Sequence, residues 1–140
     1  MRYRSAGFTL LELMVAVAVA GILASLALPS FSEYLLRGRI PQAAARLSTR
    51  ELHLEQYFQD RRTYAGAPEC TGDTTSNTYF DFGCPVVDDA HFVVQAVGKG
   101  SMSGFVFSVD DQSVRRTVSV PTGWSLPSTD CWVVRRDGSC

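Results

Sequence analysis

A single carboxylate, that of Glu12, lies at the start of a long apolar run and has the clearest chemistry in this sequence. The twenty residues that follow it, 13–32, carry no charge. An ionisable side chain at membrane depth is costly and marks a functional site with a partner to be found. Two opposite unit charges about 4 Å apart attract by roughly 4 kcal/mol at an effective dielectric of 20. We therefore expect Glu12 to have a cationic partner.

The same carboxylate also has a purely local interpretation. The residues Thr9-Leu10-Leu11-Glu12 fit a capping box, in which the threonine and the glutamate satisfy free amides at a helix start. A carboxylate in the first turn is also favoured by the helix dipole. Such a cap contributes about 1 kcal/mol. Capping alone therefore stays open as an alternative to an ion pair.

Four cysteines follow the apolar run: Cys70, Cys84, Cys131 and Cys140. They allow three pairings, and we favour the sequence neighbours, Cys70 with Cys84 and Cys131 with Cys140. Each bond would close a short loop and contribute about 2–3 kcal/mol. The sequence contains no Cys-x-x-Cys pair, and His53 and His91 have no ligand-like spacing to a cysteine, so we expect no zinc site. Persistent disulfides predict an oxidising compartment.

Residue types used in hydrolysis are present, but without a recognisable catalytic arrangement. The pairs Asp88-Asp89 and Asp110-Asp111 are typical of turns rather than of a metal site. No loop resembles an EF-hand, and calcium needs five or more oxygen ligands. We expect no enzyme activity, no cofactor and no bound metal.

The residues around the apolar run indicate an anchor rather than a secretory signal. Arg2 and Arg4 come first, and the small residues 5–7 precede the apolar run, the reverse of their order in a cleaved secretory signal. Twenty helical residues span roughly 30 Å, the thickness of a bilayer's hydrocarbon core. The positive-inside rule would keep the two arginines in the cytoplasm and the rest of the chain outside it.

Charge and length restrict the remaining function classes. The chain has 140 residues and a net charge of −1, enough for one domain plus an appendage. Without Arg2 and Arg4, 11 basic residues stand against 14 acidic ones. A mildly acidic body does not predict a nucleic-acid binder. We interpret the arginine pairs at 61–62, 115–116 and 135–136 as solvated surface charge.

Hydrophobic periodicity predicts one long helix from residue 8 to about residue 60. Gly21 and Pro29 interrupt its first half, since both residues weaken a helix. Its second half carries an apolar stripe that we expect to pack on the chain's own core, formed by Ile40, Ala44, Leu47, Leu54, Tyr57 and Phe58.

The rest of the chain predicts a loop and a small sheet. Residues 61–89 are rich in glycine and proline and indicate a loop clipped by Cys70 and Cys84. Apolar, β-branched stretches predict four strands at 91–97, 104–109, 114–120 and 131–134. Because no helix separates these strands, we expect an antiparallel meander.

Residues 7–13, Gly-Phe-Thr-Leu-Leu-Glu-Leu, resemble the class III signal of type IV prepilins. The resemblance implies that a prepilin peptidase cuts between Gly7 and Phe8 and that Phe8 is then N-methylated. It also implies that Glu12 pairs with the terminal amine of a neighbouring subunit during assembly. The stretch from Gly21 to Pro29 is the segment that would lose helical structure in a filament.

The resemblance also implies an α+β pilin fold, in which a long N-terminal helix with a membrane-spanning first half packs against a four-stranded antiparallel β-sheet. The expected segments are a leader (1–7), a transmembrane and filament-core helix (8–32), the amphipathic half of the helix (33–60) and a disulfide-bonded head (61–140). Residues 52–67 and the C-terminal cysteine loop resemble, more narrowly, minor pilins of the PilE kind.

The expected function is that of a type IV pilus minor pilin, a structural subunit that joins or primes filaments used in twitching motility, adhesion or surface sensing. Its expected partners are other pilin subunits, the prepilin peptidase, the pilus assembly machinery and the inner membrane before assembly, with nucleic acid not favoured. Two alternatives remain: a DNA-uptake pilin that uses the arginines at 115–116 and 135–136, and a pseudopilin of type II secretion. We expect the head in the periplasm before assembly and on an extracellular pilus afterwards.

Overall fold

The computed structural model describes residues 8–140, without the side chains of residues 26–30. One long helix, α1 (Leu10–Arg61), makes up the first part of the fold. It begins where the backbone amide of Glu12 donates to the Thr9 hydroxyl, 3.3 Å away. It ends at Arg61, because the next residue, Arg62, adopts a left-handed conformation (φ 59°) and donates its amide to the Phe58 carbonyl, 2.8 Å away. The helix therefore ends one residue beyond the predicted position.

The chain divides into two compact units, Met1–Leu35 and Leu36–Cys140. Large apolar side chains of the first unit are exposed along α1, from Leu10 to Leu23. Among the described residues, no helical stretch combines the length and the apolar character that crossing a membrane requires.

The second unit contains a four-stranded antiparallel sheet. Its strands are β1 (Phe80–Val87), β2 (Phe92–Gly98), β3 (Val106–Asp110) and β4 (Arg115–Ser119). They pair in sequence order, β1-β2-β3-β4. The sheet is therefore a four-stranded antiparallel meander that follows a long helix, which is the α+β architecture that the sequence predicts.

Alternate residues of the strands form the core together with one face of α1. Phe80 and Phe82 of β1, Phe92 and Val94 of β2, and Phe107 of β3 are almost completely buried, as the two-residue period of a strand requires. The helix contributes Ile40, Ala43, Leu47 and Leu54. Ala43 thus occupies the buried position that the predicted stripe assigns to Ala44, which is half-buried.

One predicted strand is wrong and one observed strand was not predicted. β1 lies inside the stretch interpreted as a loop, because Gly83 and Pro85 within it indicate a loop. Both residues are tolerated there, since β1 is an edge strand and its pairing with β2 shifts register between Gly83 and Val86. Residues 131–134 form no strand, and the amide of Val133 donates to the side chain of Thr117 instead of a ladder carbonyl.

Two disulfide bonds join Cys70 to Cys84 and Cys131 to Cys140, the pairs that the sequence favours. The first bond links the short 3-10 helix at Pro68–Cys70 to β1. The second closes the C-terminal loop, with Cα atoms 6.2 Å apart. The two bonds use all four cysteines that the sequence contains.

Thr117 of β4 holds the C-terminal segment against the sheet and gives a test of this architecture. Its hydroxyl donates to the Cys131 carbonyl at 2.8 Å and accepts from the Val133 amide at 2.9 Å. Thr117→Val would leave both groups without this partner, at a cost of about 1–3 kcal/mol in the free energy of unfolding. Urea unfolding of the oxidised protein measures the loss.

Thr122→Val is the matched control, because Thr122 is exposed and bears the same substitution. We expect the control to change the free energy of unfolding by less than about 0.5 kcal/mol. Equal losses for the two variants would show that the Thr117 hydroxyl does not fasten the C-terminal segment.

Candidate functional site

Glu12 lies in the first turn of α1, where its backbone amide, but not its carboxylate, takes part in the helix cap. Its backbone amide donates to the Thr9 hydroxyl, which is one half of a capping box. The reciprocal bond is not formed, and the carboxylate has no hydrogen-bond or ion-pair partner among residues 8–140. Local capping therefore accounts for the threonine but not for the negative charge of the glutamate.

The surroundings of Glu12 are apolar and exposed. The side chains of Leu10, Leu11 and Leu13, next to it on the first turn of α1, are each at least 60% exposed. Exposed apolar patches this extensive are rare on monomeric soluble proteins and mark contact surfaces. The carboxylate thus lies in a surface that gains free energy when another apolar surface covers it.

The predicted processing site lies partly outside the described residues. Gly7 and the leader 1–7 belong to the part of the chain that the structure does not describe. Phe8, the residue after the predicted cut, is 80% exposed. Cleavage between Gly7 and Phe8 and methylation of Phe8 therefore stay predictions.

The predicted helix-breaking positions lie within one continuous helix. α1 runs through Gly21 and Pro29 without a break in its assignment. The Pro29 side chain lies outside the described part of the chain, and a Cβ added at Gly21 would meet open space. Loss of helical structure between these residues in a filament is therefore a prediction about the assembled state.

An ion pair fastens the loop after α1 to the helix. The Arg50 guanidinium lies 2.8 Å from a carboxylate oxygen of Asp73 and also donates to the Glu69 carbonyl. Hydrogen bonds from Ser76 and Thr75, together with the Arg50 charge, hold the pKa of Asp73 well below its usual range. The backbone of Asp73 pairs with Phe82 of β1, so the same residue joins helix, loop and sheet.

A lysine that follows β2 holds the same loop through side-chain and backbone contacts. Lys99, which follows β2, donates to the Thr74 carbonyl at 2.6 Å and to the Asp81 carboxylate at 2.5 Å. Its backbone amide donates to the Tyr79 carbonyl at 2.9 Å. The loop therefore has a defined conformation although its sequence is rich in turn-forming residues.

The arginine pairs differ in how they are engaged. Arg116 donates to Asp130 at 3.1 Å and to Asp110 at 3.3 Å, and Arg115 lies over the Trp132 ring, 4.9 Å from its centroid. Arg135 and Arg136 are exposed in the C-terminal loop. The pair on β4 thus contacts its own fold, and the C-terminal pair lies on the surface of the C-terminal loop.

The aspartate pairs cap turns, as the sequence predicts. A carboxylate oxygen of Asp88 accepts from the amides of Ala90 and His91, at 2.8 Å each. One of Asp110 accepts from the amides of Gln112 and Val114, at 3.1 and 2.9 Å. The hydrogen bonds from the amides of Ala90 and His91 hold the pKa of Asp88 below its usual value.

Several residues that join the loops and the C-terminal segment to the helix and the sheet were not predicted from the sequence. They are Arg50, Asp73, Lys99 and Thr117, together with Trp132, whose indole donates to the Ser108 carbonyl at 2.8 Å. Only Arg50 had a sequence signal, because it lies three residues after the buried Leu47, at the edge of the apolar stripe. A charged side chain there needs a partner.

Two protein-family models match the chain. One, described as the prokaryotic N-terminal methylation motif, matches residues 2–28. The other, described as type IV minor pilin ComP, DNA uptake sequence receptor, matches residues 29–105. The two matches meet inside α1, between residues 28 and 29.

Individual relatives are fimbrial proteins. The chain is 38% identical over 66 residues to a probable minor fimbrial protein of Dichelobacter nodosus, an alignment that covers 46% of this chain and 42% of the relative. It is 32% identical over 71 residues to a fimbrial protein of Neisseria meningitidis serogroup B, covering 51% of this chain and 42% of that one. The chain thus spans less than half the length of these two relatives.

A solved structure has the same fold. It is that of the non-core minor pilin PilV of Neisseria meningitidis, with a TM-score of 0.57 at 20% identity, covering 70% of this chain and 99% of that one. The long helix packed on a four-stranded antiparallel sheet is therefore the pilin fold. Because the second family model matches more than half of the chain, the chain belongs to the type IV minor pilin family that this model describes.

Proposed function

We propose that this minor pilin is a structural subunit that enters or primes type IV filaments serving twitching motility, adhesion or surface sensing. The observation that carries the proposal is the first part of α1, an exposed apolar surface that contains one carboxylate without a partner among the described residues. Such a surface suits contact with other apolar helices. It does not suit contact with water.

Assembly would bury this surface and pair Glu12. Burial of apolar side chains contributes roughly 25 cal/mol per Å² removed from water. The Glu12 carboxylate would meet the terminal amine of a neighbouring subunit, because that amine is the cation that processing creates. Once the pair is buried, removal of one partner costs about 3–5 kcal/mol. The ion pair would therefore favour correct docking and help to set register.

Processing and location follow from the same segment. We infer that a prepilin peptidase cuts between Gly7 and Phe8 and that the new terminus is methylated, which the match to the methylation motif supports. We also infer that residues 8–32 reside in the inner membrane before assembly, with the head in the periplasm. The support is the uncharged run at 13–32 behind two arginines, together with two disulfides in the head.

Deletion of the gene, with complementation, tests the function. We expect fewer surface pili or weaker twitching and adhesion, restored by the wild-type gene on a plasmid. Unchanged pilus number, motility and adhesion would refute the proposal. Mass spectrometry of the mature chain adds an independent test, since the proposal requires a methylated Phe8 as the first residue.

A second candidate function is DNA uptake, and one observation favours it. The family model that matches residues 29–105 carries the words DNA uptake sequence receptor in its description. The arginines that the sequence suggests for this role, at 115–116 and 135–136, all lie beyond the matched residues. Arg116 is moreover held by Asp110 and Asp130. Exposed Arg46, on α1, lies inside the matched segment.

Salt-dependent binding of a DNA duplex by the full chain in detergent micelles tests this second function. If the chain binds DNA, the affinity falls with salt, and each lost phosphate contact reduces the slope by about one. Substitution of Arg135 and Arg136 by Gln, compared with Arg46→Gln, identifies which surface contributes. No binding at low salt would exclude DNA uptake by this subunit alone.

A further inference from the structure

Two turns at one end of the sheet are joined through a histidine. The β1–β2 turn (residues 88–91) ends at His91, whose Nδ1 lies 3.0 Å from a carboxylate oxygen of Asp111 in the β3–β4 turn (residues 111–114). The backbone amide of Asp111 also donates to the Phe92 carbonyl, 3.3 Å away. Histidine is the side chain whose ordinary pKa lies nearest neutrality, so its charge changes within the physiological range.

The β1–β2 turn also holds the segment that follows α1. The Thr63 hydroxyl donates to the Asp89 carboxylate at 2.8 Å, and the Tyr64 amide donates to the Asp89 carbonyl at 3.3 Å. The β1–β2 turn therefore contacts two other parts of the head: the segment after α1 and the β3–β4 turn.

The charges around His91 are predominantly acidic. Asp111 faces it from the β3–β4 turn, and Asp88 faces it from its own turn. The other charged or titratable side chains of the elements that meet here are Glu55 of α1, which accepts from the Tyr64 hydroxyl, Asp89, and the Asp110–Arg116 pair. A cationic imidazolium is therefore attracted from both turns, whereas a neutral ring can offer Asp111 only a hydrogen bond from its Nδ1–H tautomer, without the charge.

We propose that His91 is a proton-dependent clasp between the β1–β2 and β3–β4 turns, strong when its imidazole is protonated and weaker when it is neutral. The hydrogen bond to Asp111, followed by the charge of that carboxylate, raises the pKa of His91 above its ordinary value of 6.5. The stabilisation is therefore fully present below pH 6.5 and is lost as the pH rises through the raised pKa. This end of the head is tighter in mildly acidic medium.

NMR of the full chain in detergent micelles tests the clasp directly. We expect the His91 ring to titrate above 6.5 and Asp111→Asn to return its pKa toward that value. We also expect hydrogen-exchange protection of the amides of Ala90, His91 and Ser113, corrected for intrinsic exchange, to fall about two- to fivefold between pH 5.5 and 8.5.

His91→Gln should remove this pH dependence, because glutamine keeps a hydrogen-bonding side chain without a titrating charge. The matched control is His53→Gln, which removes the chain's other histidine, located on α1 with its Nδ1 3.3 Å from a carboxylate oxygen of Glu69. We expect this control to keep the pH dependence. A His91 that titrates at or below 6.5, or a His91→Gln variant with unchanged pH dependence, would overturn the proposal.

Discussion

Glu12→Ala is expected to be processed normally and to fail in filament incorporation. The substitution leaves Gly7 and Phe8 unchanged, so the peptidase still meets its expected site. In the filament the terminal amine of the neighbouring subunit would be buried without its carboxylate, at a cost of about 3 kcal/mol or more. Since each 1.4 kcal/mol is a factor of ten, we expect at least about a hundredfold less incorporation.

Immunoblots of sheared pili and of membranes, scaled to total subunit, measure this ratio. Glu12→Gln separates charge from shape, because it keeps a polar side chain of nearly equal size, and we expect it to fail as well. Thr9→Ala is the matched control for capping: it removes the hydroxyl that accepts from the Glu12 amide and costs about 1 kcal/mol of helix stability. Its incorporation should fall far less.

Two outcomes would contradict the ion-pair hypothesis. Incorporation of Glu12→Ala at the wild-type level would show that filament assembly does not require an ion pair with this carboxylate. Equal defects in Thr9→Ala and Glu12→Ala would assign the role of Glu12 to the helix start, where a carboxylate also interacts with the helix dipole.

The sequence alone is enough to propose Glu12 as the candidate assembly residue, because its signal is local. Glu12 stands alone in an apolar run, and nothing far away in the chain is needed to notice it. The same holds for α1, whose apolar stripe repeats at the helical period and whose end differs from the prediction by one residue. Short-range periodicity carries such features, so no tertiary information is required.

The contacts that shape the head could not be predicted in this way, because they join residues far apart in sequence. Arg50 meets Asp73 across 23 positions, and Trp132 reaches the Ser108 carbonyl across 24. No local sequence pattern around Arg50 or Trp132 identifies the residue that it contacts. Thr117 likewise takes the place of a strand partner for residues 131–134, so an apolar segment there forms no ladder.

β1 was missed for a different reason: its turn-forming residues predict a loop, whereas its pairing with β2 makes it a strand. Gly83 and Pro85 indicate a loop, yet the alternation of Phe80 and Phe82 places both rings in the core. An edge strand needs only one ladder, and β1 pairs mainly with β2. Glycine and proline therefore interrupt the strand locally without removing it from the sheet.

Phe80→Ala is the substitution that separates these two interpretations of residues 80–87. Phe80 is fully buried, pairs with Gly98 of β2 and lies 6.2 Å from the Phe107 ring, between ring centroids. Removing a buried aromatic ring costs about 3–5 kcal/mol in the free energy of unfolding, because a cavity remains. Urea unfolding of the oxidised full chain in detergent micelles, followed by tryptophan fluorescence, measures the loss.

The control is Val97→Ala on β2, since Val97 pairs with the neighbouring residue Asp81 but is 44% exposed. We expect it to cost less than about 1 kcal/mol. If residues 80–87 were the mobile loop that their glycine and proline indicate, Phe80→Ala would cost no more than this control. A much larger loss for Phe80→Ala than for Val97→Ala would therefore show that the edge strand β1 contributes to the core of the head. The Cys70–Cys84 disulfide joins the same strand to the preceding loop.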